Sequence, residues 1–368
     1  MRVLGFMSGT SLDAVDMAIL ETDGEAIHGF GPAGERKLTP KTRAIVLEAT
    51  AAAKDWLRGT PEPSVFAEAA RAVAEEHLEA ARQFLDVNDL KASDLDLAGF
   101  HGQTVLHERP TKDRIGRTIQ LGDGALLARG LGLPVAFDFR TADVAAGGEG
   151  APLAPIYHAA RAKASGLKPP IAILNLGGVA NITLIPSSGA MVAYDTGPAN
   201  GMIDLWVQAK TDRRFDPDGG FAQAGRVDER ALASLLDHPY FAAPGPKSLD
   251  RYDFALTPVQ HLSLEDGAAT LTAFTAQTVA MAVKGAAETP TMLIVAGGGR
   301  LNPTLMTTLG ARAGVPVTTA EVLGWRGDAI EAEAFAYLAA RTFKGLPISF
   351  PGTTGAPRPM MGGRIVQP

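Results

Sequence analysis

The chain has 368 residues, 46% of them hydrophobic and 20% charged, which suggests roughly two domains with a sizeable core and excludes a disordered chain. Its 34 basic and 40 acidic residues leave a net charge of −6, a field that does not favour nucleic acid or an anionic membrane surface. The absence of cysteine excludes disulfides, thiolate zinc sites, iron–sulfur clusters and a cysteine nucleophile, and 41 glycines with 25 prolines predict many tight turns.

The first 20 residues read as two strands around a turn: apolar Arg2 to Phe6, turn-like Ser8-Gly9-Thr10-Ser11, then apolar Ala14 to Leu20. Ser8 and Asp13 break the apolar run too early for a secretory signal, and no stretch approaches the ~20 apolar residues of a membrane helix. A soluble cytoplasmic protein is expected. Phe66, Ala70, Val73, Leu78, Ala81 and Leu85 define one face of a helix N-capped by Ser64, with Glu68, Arg71, Glu75, Glu76 and Arg82 mostly opposite. Short strands follow at Leu95–Phe100 and Pro134–Phe137. A second hairpin repeats the first: apolar Ile171 to Leu174, the turn Asn175-Leu176-Gly177-Gly178, then Val179 to Ile185. Two such hairpins near half a chain length apart suggest two similar halves.

The segment from Thr211 to Tyr252, rich in Pro, Gly and Asp, reads as an excursion over the surface or an active-site cleft. Periodicity then predicts a helix over Ala268 to Ala287, a buried strand from Met292 to Ala296, and a last helix from about Ala329 to Thr342. From Pro347 the tail reads as extended. Alternating strands and helices make the fold class α/β.

Three small-residue loops follow apolar runs. Met7 to Asp13 lets backbone N–H groups and hydroxyls approach a phosphate, with Asp13 or Asp16 able to hold a metal-bound water, and it reads equally as a plain hairpin turn. Asn175 to Gly178 with Asn181, and Gly297-Gly298-Gly299, have the same capacity. There is no GxxxxGK[ST] loop, GxGxxG turn, HExxH pair or GxSxG elbow. Asp195 follows a strand-like segment beside Gly197, Pro198 and Asn200, where it can accept a proton in a cleft or equally cap a helix. Asp138, Arg140 and Asp143 abut the Gly-rich run at Gly147–Gly150, suited to gripping a ligand or to an ion-paired interdomain loop. His101 and Gln103 can bind a polyhydroxylated ligand.

Nine blocks together, FMSGTSLDAVD, FHGQTVLHERP, IQLGDGALLA, DFRTADVAAGGEGAPLAP, LNLGGVANIT, YDTGPANGMID, PKSLDRYDF, VAGGGRLNP and GDAIEAEAFAYLA, resemble in order the anhydro-N-acetylmuramic acid kinase family over essentially the whole chain. The resemblance implies the actin/hexokinase/Hsp70 (ribonuclease H-like) fold of two similar lobes, here 1–168 and 169–368 with the tail 347–368 packing back on the first, and ATP in the cleft between them. It implies that the first phosphate loop comprises Gly9, Thr10, Ser11, Leu12, Asp13, Ala14, Val15 and Asp16, with Asp13 holding Mg²⁺ through water. Asn175, Gly177 and Gly178 would form the second, and Gly297, Gly298 and Gly299 would lie near the adenosine. The family's general base falls on Asp195, and Glu331 matches its late-helix glutamate. His101, Gln103, Asp123, Asp138, Arg140, Gly197 and Asn200 match segments expected around the sugar and its lactyl carboxylate. The implied reaction opens a 1,6-anhydro sugar with water while phosphorylating O6, in murein salvage, by a cytoplasmic homodimer.

Two positions depart from the family pattern. Ala199 stands where DTGPGN has its second glycine, and Glu149 where GGQGAP has glutamine. Ala cannot adopt Gly-only dihedrals, and Glu149 adds a negative charge near an anionic substrate. Other readings keep the fold but phosphorylate another sugar, or make the chain a nucleotide switch that binds protein partners.

Overall fold

The computed structural model describes every residue except Thr10, Lys112, Pro244 and residues 250–252. The chain divides into two units, Met1–Gly166 with Ala329–Pro368, and Leu167–Asp328. The strands of the first unit, among the described residues, begin with β1 (Arg2–Met7), β2 (Ala14–Thr22), β3 (Ile27–Lys37) and β4 (Leu97–Phe100). They continue with the hairpin β5 (Gln103–Glu108) and β6 (Arg117–Leu121), then β7 (Val135–Phe137). The second unit holds β8 (Ile171–Leu176), β9 (Val179–Ile185), β10 (Val192–Pro198), β11 (Leu293–Ala296) and β12 (Val317–Thr319), and β13 (Arg364–Val366) returns to the first.

The larger sheet runs β13-β7-β4-β1-β2-β3, and that of the second unit runs β10-β9-β8-β11-β12. In the first, β1, β2 and β3 are antiparallel while β4 and β7 continue parallel to β1. In the second, β8, β9 and β10 are antiparallel while β11 and β12 continue parallel to β8. Apart from β13, the two sheets have the same order and the same directions. The two expected hairpins are therefore the first and second strands of a repeated unit.

Strands β4 and β11 are buried along their whole length, as parallel strands covered on both faces must be. The Ala-rich helix Ile330–Phe343 covers β1, β2 and β4. On the other side lies the helix Val65–Val87, which buries Phe66, Val73, Ala81 and Leu85 as its periodicity predicts, with Ala70 and Leu78 partly buried. Two expectations at this helix need correction. Ser64 has helical dihedrals and makes no capping bond. Glu76 is buried, paired with Arg36 and accepting from the Thr39 and Thr42 hydroxyls at 2.6 Å each, because these partners come from a strand and helix too distant in sequence for periodicity to see.

The excursion predicted from Thr211 onward is instead a small helical layer, with helices Gly220–Ala224, Glu229–Leu236 and Pro239–Ala242. Leu232 and Leu235 share a core with Trp206, Val259 and Phe274. Its helices are too short for periodicity to register: Asp228 and His238 cap the second and third, and Asp216, upstream of the first, accepts from the N–H groups of Phe221 (2.8 Å) and Ala222 (3.0 Å). The tail is likewise not simply extended, since it forms the helix Pro351–Thr354 and β13, which pairs with β7.

Buried histidines are expected to make the first unit acid-sensitive. His77 donates from Nδ1 to the Val73 carbonyl (2.7 Å) and packs edge-on against Phe6 and Phe100, and burial lowers its pKa to about 4. Burial does the same to His158. The unfolded imidazole titrates near 6.5, so their contribution is fully present above about pH 6.5 and is lost as pH falls toward 4. Melting temperature is expected to drop across that window, and the drop to shrink in His77→Phe; a flat profile from pH 7 to 4 would refute the assignment.

Candidate functional site

In open α/β sheets, ligands bind beyond the carboxyl ends of the parallel strands. In the first unit these ends are the segments after β1, β4 and β7. Leu12, buried at φ +57°, anchors the loop after β1 in the core. Thr10 lies outside the described residues. Ser11 and Asp13 are exposed, while Ala14 and Val15 already belong to β2, with Val15 fully buried. Asp16 sits in register with Met7 on β1 and Glu35 on β3. Gln103 is 1% exposed and donates from Nε2 to the Gly9 carbonyl (3.2 Å). Its Oε1 and the hydroxyl of Ser8, 2% exposed, have no partner among the described residues. Buried polar atoms of this kind are ordinarily satisfied, by protein, water or ligand.

His101, Arg140 and Glu331 come together in the same unit. Arg140 donates from Nε to His101 Nε2 (3.0 Å) and from Nη1 to the Gly150 carbonyl (2.8 Å). Because guanidinium only donates, His101 Nε2 must accept, so the ring is neutral and its Nδ1–H donates to the Gly102 carbonyl (2.8 Å). Burial, then the Arg140 charge, hold the His101 pKa well below the ordinary value. Arg140 is lowered by burial to about 10, against the opposing pull of Glu331 and Asp143, and so stays cationic at neutral pH. Its Nη2 has no partner among the described residues. Glu331, in the first turn of the helix Ile330–Phe343, is exposed to solvent, yet the protein packed around it desolvates its carboxyl enough to raise its pKa, with Arg140 pulling the other way.

The other acidic candidates in this unit have structural partners. Asp123 caps the helix Gly124–Leu131 by accepting from the Leu126 N–H (2.9 Å). Asp138 pairs with Arg364 on β13 (3.0 Å). The Gly-rich run is pinned by buried Asp143, which accepts from the Gly150 N–H (2.7 Å) and from the hydroxyls of Thr354 (2.7 Å) and Ser349. Asp143→Ala leaves three buried donors without an acceptor and is expected to destabilise by at least about 3 kcal/mol. Limited proteolysis checks this: cleavage should appear first in the tail beyond Pro347, and an unchanged digestion pattern would count against the anchor.

In the second unit, Asn175 on β8, Asn181 on β9 and Asp195 on β10 are consecutive register partners, so they form one polar row across three strands on one face. Asp195 lies within a strand and does not cap the following helix, whose N-cap is Ala199. Its carboxylate Oδ2 accepts from the Leu249 N–H (2.7 Å), its N–H donates to the Lys247 carbonyl (3.0 Å), and its carbonyl accepts from the Tyr240 hydroxyl. A bulge follows between Asp195 and Gly197, where Gly197 faces Thr278. Asn200 donates from its backbone to the Gly177 carbonyl (3.1 Å) and from Nδ2 to that of Leu176 (3.2 Å). Gly297, at φ +75°, would place a Cβ 2.3 Å from Asn175 Oδ1, so only glycine lets this turn close on the second loop. Gly177, Gly178, Asn200 and Gly297 to Gly299 are thus gathered at one end of the sheet.

Arg300 was not foreseen as part of this site. Its buried guanidinium donates to the Gly297 carbonyl (3.1 Å), Glu321 (2.7 Å) and Asp328 (2.8 Å) and thereby holds the glycine turn. A lone arginine after three glycines carries no pattern that reveals such distant partners. At the two departures from the family pattern, Ala199 has φ −132°, and the Glu149 backbone N–H donates to the Thr354 carbonyl (2.6 Å). Among the described residues no three His, Asp or Glu groups gather as a metal site, and no helix is long and apolar enough to cross a membrane.

Two sheets of one order and one set of directions, each ending in small-residue turns at the carboxyl ends of its strands, define an α/β protein of the duplicated ribonuclease H-like, actin/hexokinase/Hsp70 type. A profile of the family described as anhydro-N-acetylmuramic acid kinase matches residues 1–368. The chain belongs to this family. It is 69% identical over 366 residues to the anhydro-N-acetylmuramic acid kinase of Caulobacter vibrioides, covering 100% of this chain and 99% of that one. It is 65% identical over 368 residues to the enzyme of that name from Phenylobacterium zucineum, covering 100% of each. Among solved structures it is similar to the activator of the 2-hydroxyisocaproyl-CoA dehydratase from Clostridium difficile, at 12% identity and a TM-score of 0.44 over 94% of this chain and 96% of that one.

Proposed function

We propose that this chain is an ATP-dependent kinase that opens the ring of 1,6-anhydro-N-acetylmuramic acid with water and phosphorylates O6, giving N-acetylmuramic acid 6-phosphate and ADP during peptidoglycan recycling. Family membership along the whole chain supports the reading. The observation that carries the mechanism is the seat of Asp195, half-buried, clamped at its backbone and at one carboxylate oxygen, and in line with Asn181 and Asn175. Such a carboxylate is oriented to take a proton from water as the water oxygen bonds to the anomeric carbon. As that bond forms, the C1–O6 bond breaks, and O6 takes the phosphoryl group with its electron pair, so O6 needs no base of its own.

ATP supplies the phosphoryl group. Gly9 to Asp16, with Asn175, Gly177 and Gly178, would line its phosphates, and Gly297 to Gly299 its nucleoside. The unsatisfied buried atoms of Ser8 and Gln103 beside Gly9 fit a hydrogen-bonding ligand there. Mg²⁺ keeps most of its waters and takes few carboxylates, which suits the sparse acidic set of Asp13 and Asp16. Arg140, cationic and with Nη2 unspent, is the natural partner of the lactyl carboxylate, and Glu331 stands beside it. Gln103, Gly197 and Asn200 complete the set offered to the sugar; His101, with both ring nitrogens engaged by Arg140 and the Gly102 carbonyl, positions the guanidinium, and Asp123 and Asp138 already serve a helix cap and an ion pair.

ADP release tests the reading. It should be fast with 1,6-anhydro-N-acetylmuramic acid and slow with N-acetylmuramic acid or glucose. In H₂¹⁸O the product should carry the label at C1; unlabelled product would reduce the reaction to simple phosphorylation of a hydroxyl.

A further inference from the structure

We propose that a cavity of about 800 Å³ within the second unit is a separate ligand site, built for a small molecule with an apolar body and one carboxylate. The proposal goes beyond the kinase reading and does not depend on it. The volume falls in the range of ~300–1,000 Å³ usual for ligand pockets. The cavity extends to Ile171, the first residue of β8, and to Pro290, just ahead of β11. The glycine turns lie at the other ends of these strands, roughly 16 Å away along β8. On β10, Tyr194 and Thr196 line the cavity, while Asp195 between them points to the opposite face.

The lining states the chemistry of the occupant. Leu184, Ile185, Phe241 and Met281 supply an apolar wall. Lys247 also lines the cavity and donates from Nζ to the carbonyls of Tyr240 and Ala243 at 2.8 Å each. An ammonium has three N–H donors, so one remains, and Lys247 has no carboxylate partner among the described residues. Its Nζ stands 4.4 Å from the centre of the Tyr240 ring and 5.8 Å from that of Tyr194. Burial lowers the amine's pKa, a penalty that a bound anion would offset.

The Tyr194 hydroxyl makes no hydrogen bond among the described residues, and burial raises its pKa, so it stays a neutral donor at pH 7. The hydroxyl protons of Thr196 and Thr278 are spent on the carbonyls of Ala180 (3.3 Å) and Thr275 (2.9 Å). Glu288, another lining residue, accepts from the N–H (2.8 Å) and hydroxyl (2.7 Å) of Ser187 and is satisfied. One ammonium N–H and one phenol match the two oxygens of a carboxylate. A phosphate dianion would bring more charge than these two donors can meet in a partly apolar cavity.

Titration of the full chain with 3-phenylpropionate, followed by ligand-observed NMR, tests the site. Saturable one-to-one binding is expected, and the uncharged isostere 3-phenylpropanamide should bind at least about tenfold more weakly. Lys247→Met and Tyr194→Phe should each weaken the acid by a larger factor than the amide, which keeps one carbonyl acceptor but no charge. Met281→Trp, which fills the cavity from the helix Leu264–Lys284 without touching Lys247, should abolish binding of both while the melting temperature stays unchanged. Equal affinity for acid and amide, binding that survives Met281→Trp, or no saturable binding would each overturn the proposal. All of these readouts are binding, so failure here leaves the kinase reading standing, and an inactive kinase leaves this result intact.

Discussion

Asp195→Asn is expected to lower turnover by about 10²–10⁴-fold, the usual contribution of a general base, while nucleotide binding is unchanged. The substitution keeps the volume of the side chain. The amide can also turn its oxygen toward the Leu249 N–H, from which the carboxylate accepts at 2.7 Å, so that bond survives the substitution. Single-turnover rates with the anhydro sugar, beside calorimetric titration with the nucleotide, separate the two effects. Turnover near that of the unmodified chain would remove Asp195 as the base. Loss of nucleotide affinity in step with turnover would make its role one of holding the loop.

Gly5→Val is expected to cost about 3 kcal/mol or more. A Cβ at Gly5 would lie 1.9 Å from the Ala332 carbonyl oxygen and 2.6 Å from the Ala336 nitrogen, both backbone atoms of the helix Ile330–Phe343, which have no flexible side chain to move aside. The helix must retreat from β1 and take Glu331 with it. For a unit of this size the melting temperature should fall by roughly 6–12 °C. Gly220→Ala is the control: nothing lies near its would-be Cβ and its φ is −65°, so its effect should stay within about 0.5 kcal/mol. A melting temperature for Gly5→Val close to that of the control would mean that the helix and sheet are not in intimate contact.

The repeated hairpins were legible because each is local: an apolar run, a small polar turn and a second apolar run are consecutive in the chain. The parallel strands at β4 and β11 and the helices Val65–Val87, Leu264–Lys284 and Ile330–Phe343 were legible for the same reason, through burial and periodicity, whereas the helix Pro40–Asp55 was not. The third strand of the first sheet was less so. Strand β3 carries Gly29, Gly31, Pro32 and Gly34 and has no fully buried position, so its pairing with β2 is set by the partner strand rather than by its own propensity. The helical layer at Gly220–Ala242 was hidden by its turn residues, which act as helix caps once Trp206 and Phe274 provide a core to cover.

Of the candidate site, the kinds of residue were readable and their employment was not. Asp195, Asp138 and Asp123 all stood beside turns as plausible acid–base or sugar-binding groups. Only their partners separate them: a backbone clamp for Asp195, Arg364 for Asp138 and the Leu126 N–H for Asp123. His101 likewise read as a hydrogen-bonding group, and it is the Arg140 guanidinium on Nε2 that fixes its neutral tautomer.

By itself, then, the sequence determined an α/β chain built from two like halves, its family, and the glycine turns where ligands can approach backbone, since all of these reside in short consecutive stretches. The tertiary structure decided which carboxylates are spent on caps and ion pairs, that Arg300 braces the glycine turn, and that Asn175, Asn181 and Asp195 share one row. Those outcomes depend on groups brought within about 3 Å from positions far apart in the chain, and hydrogen bonds act only at that range.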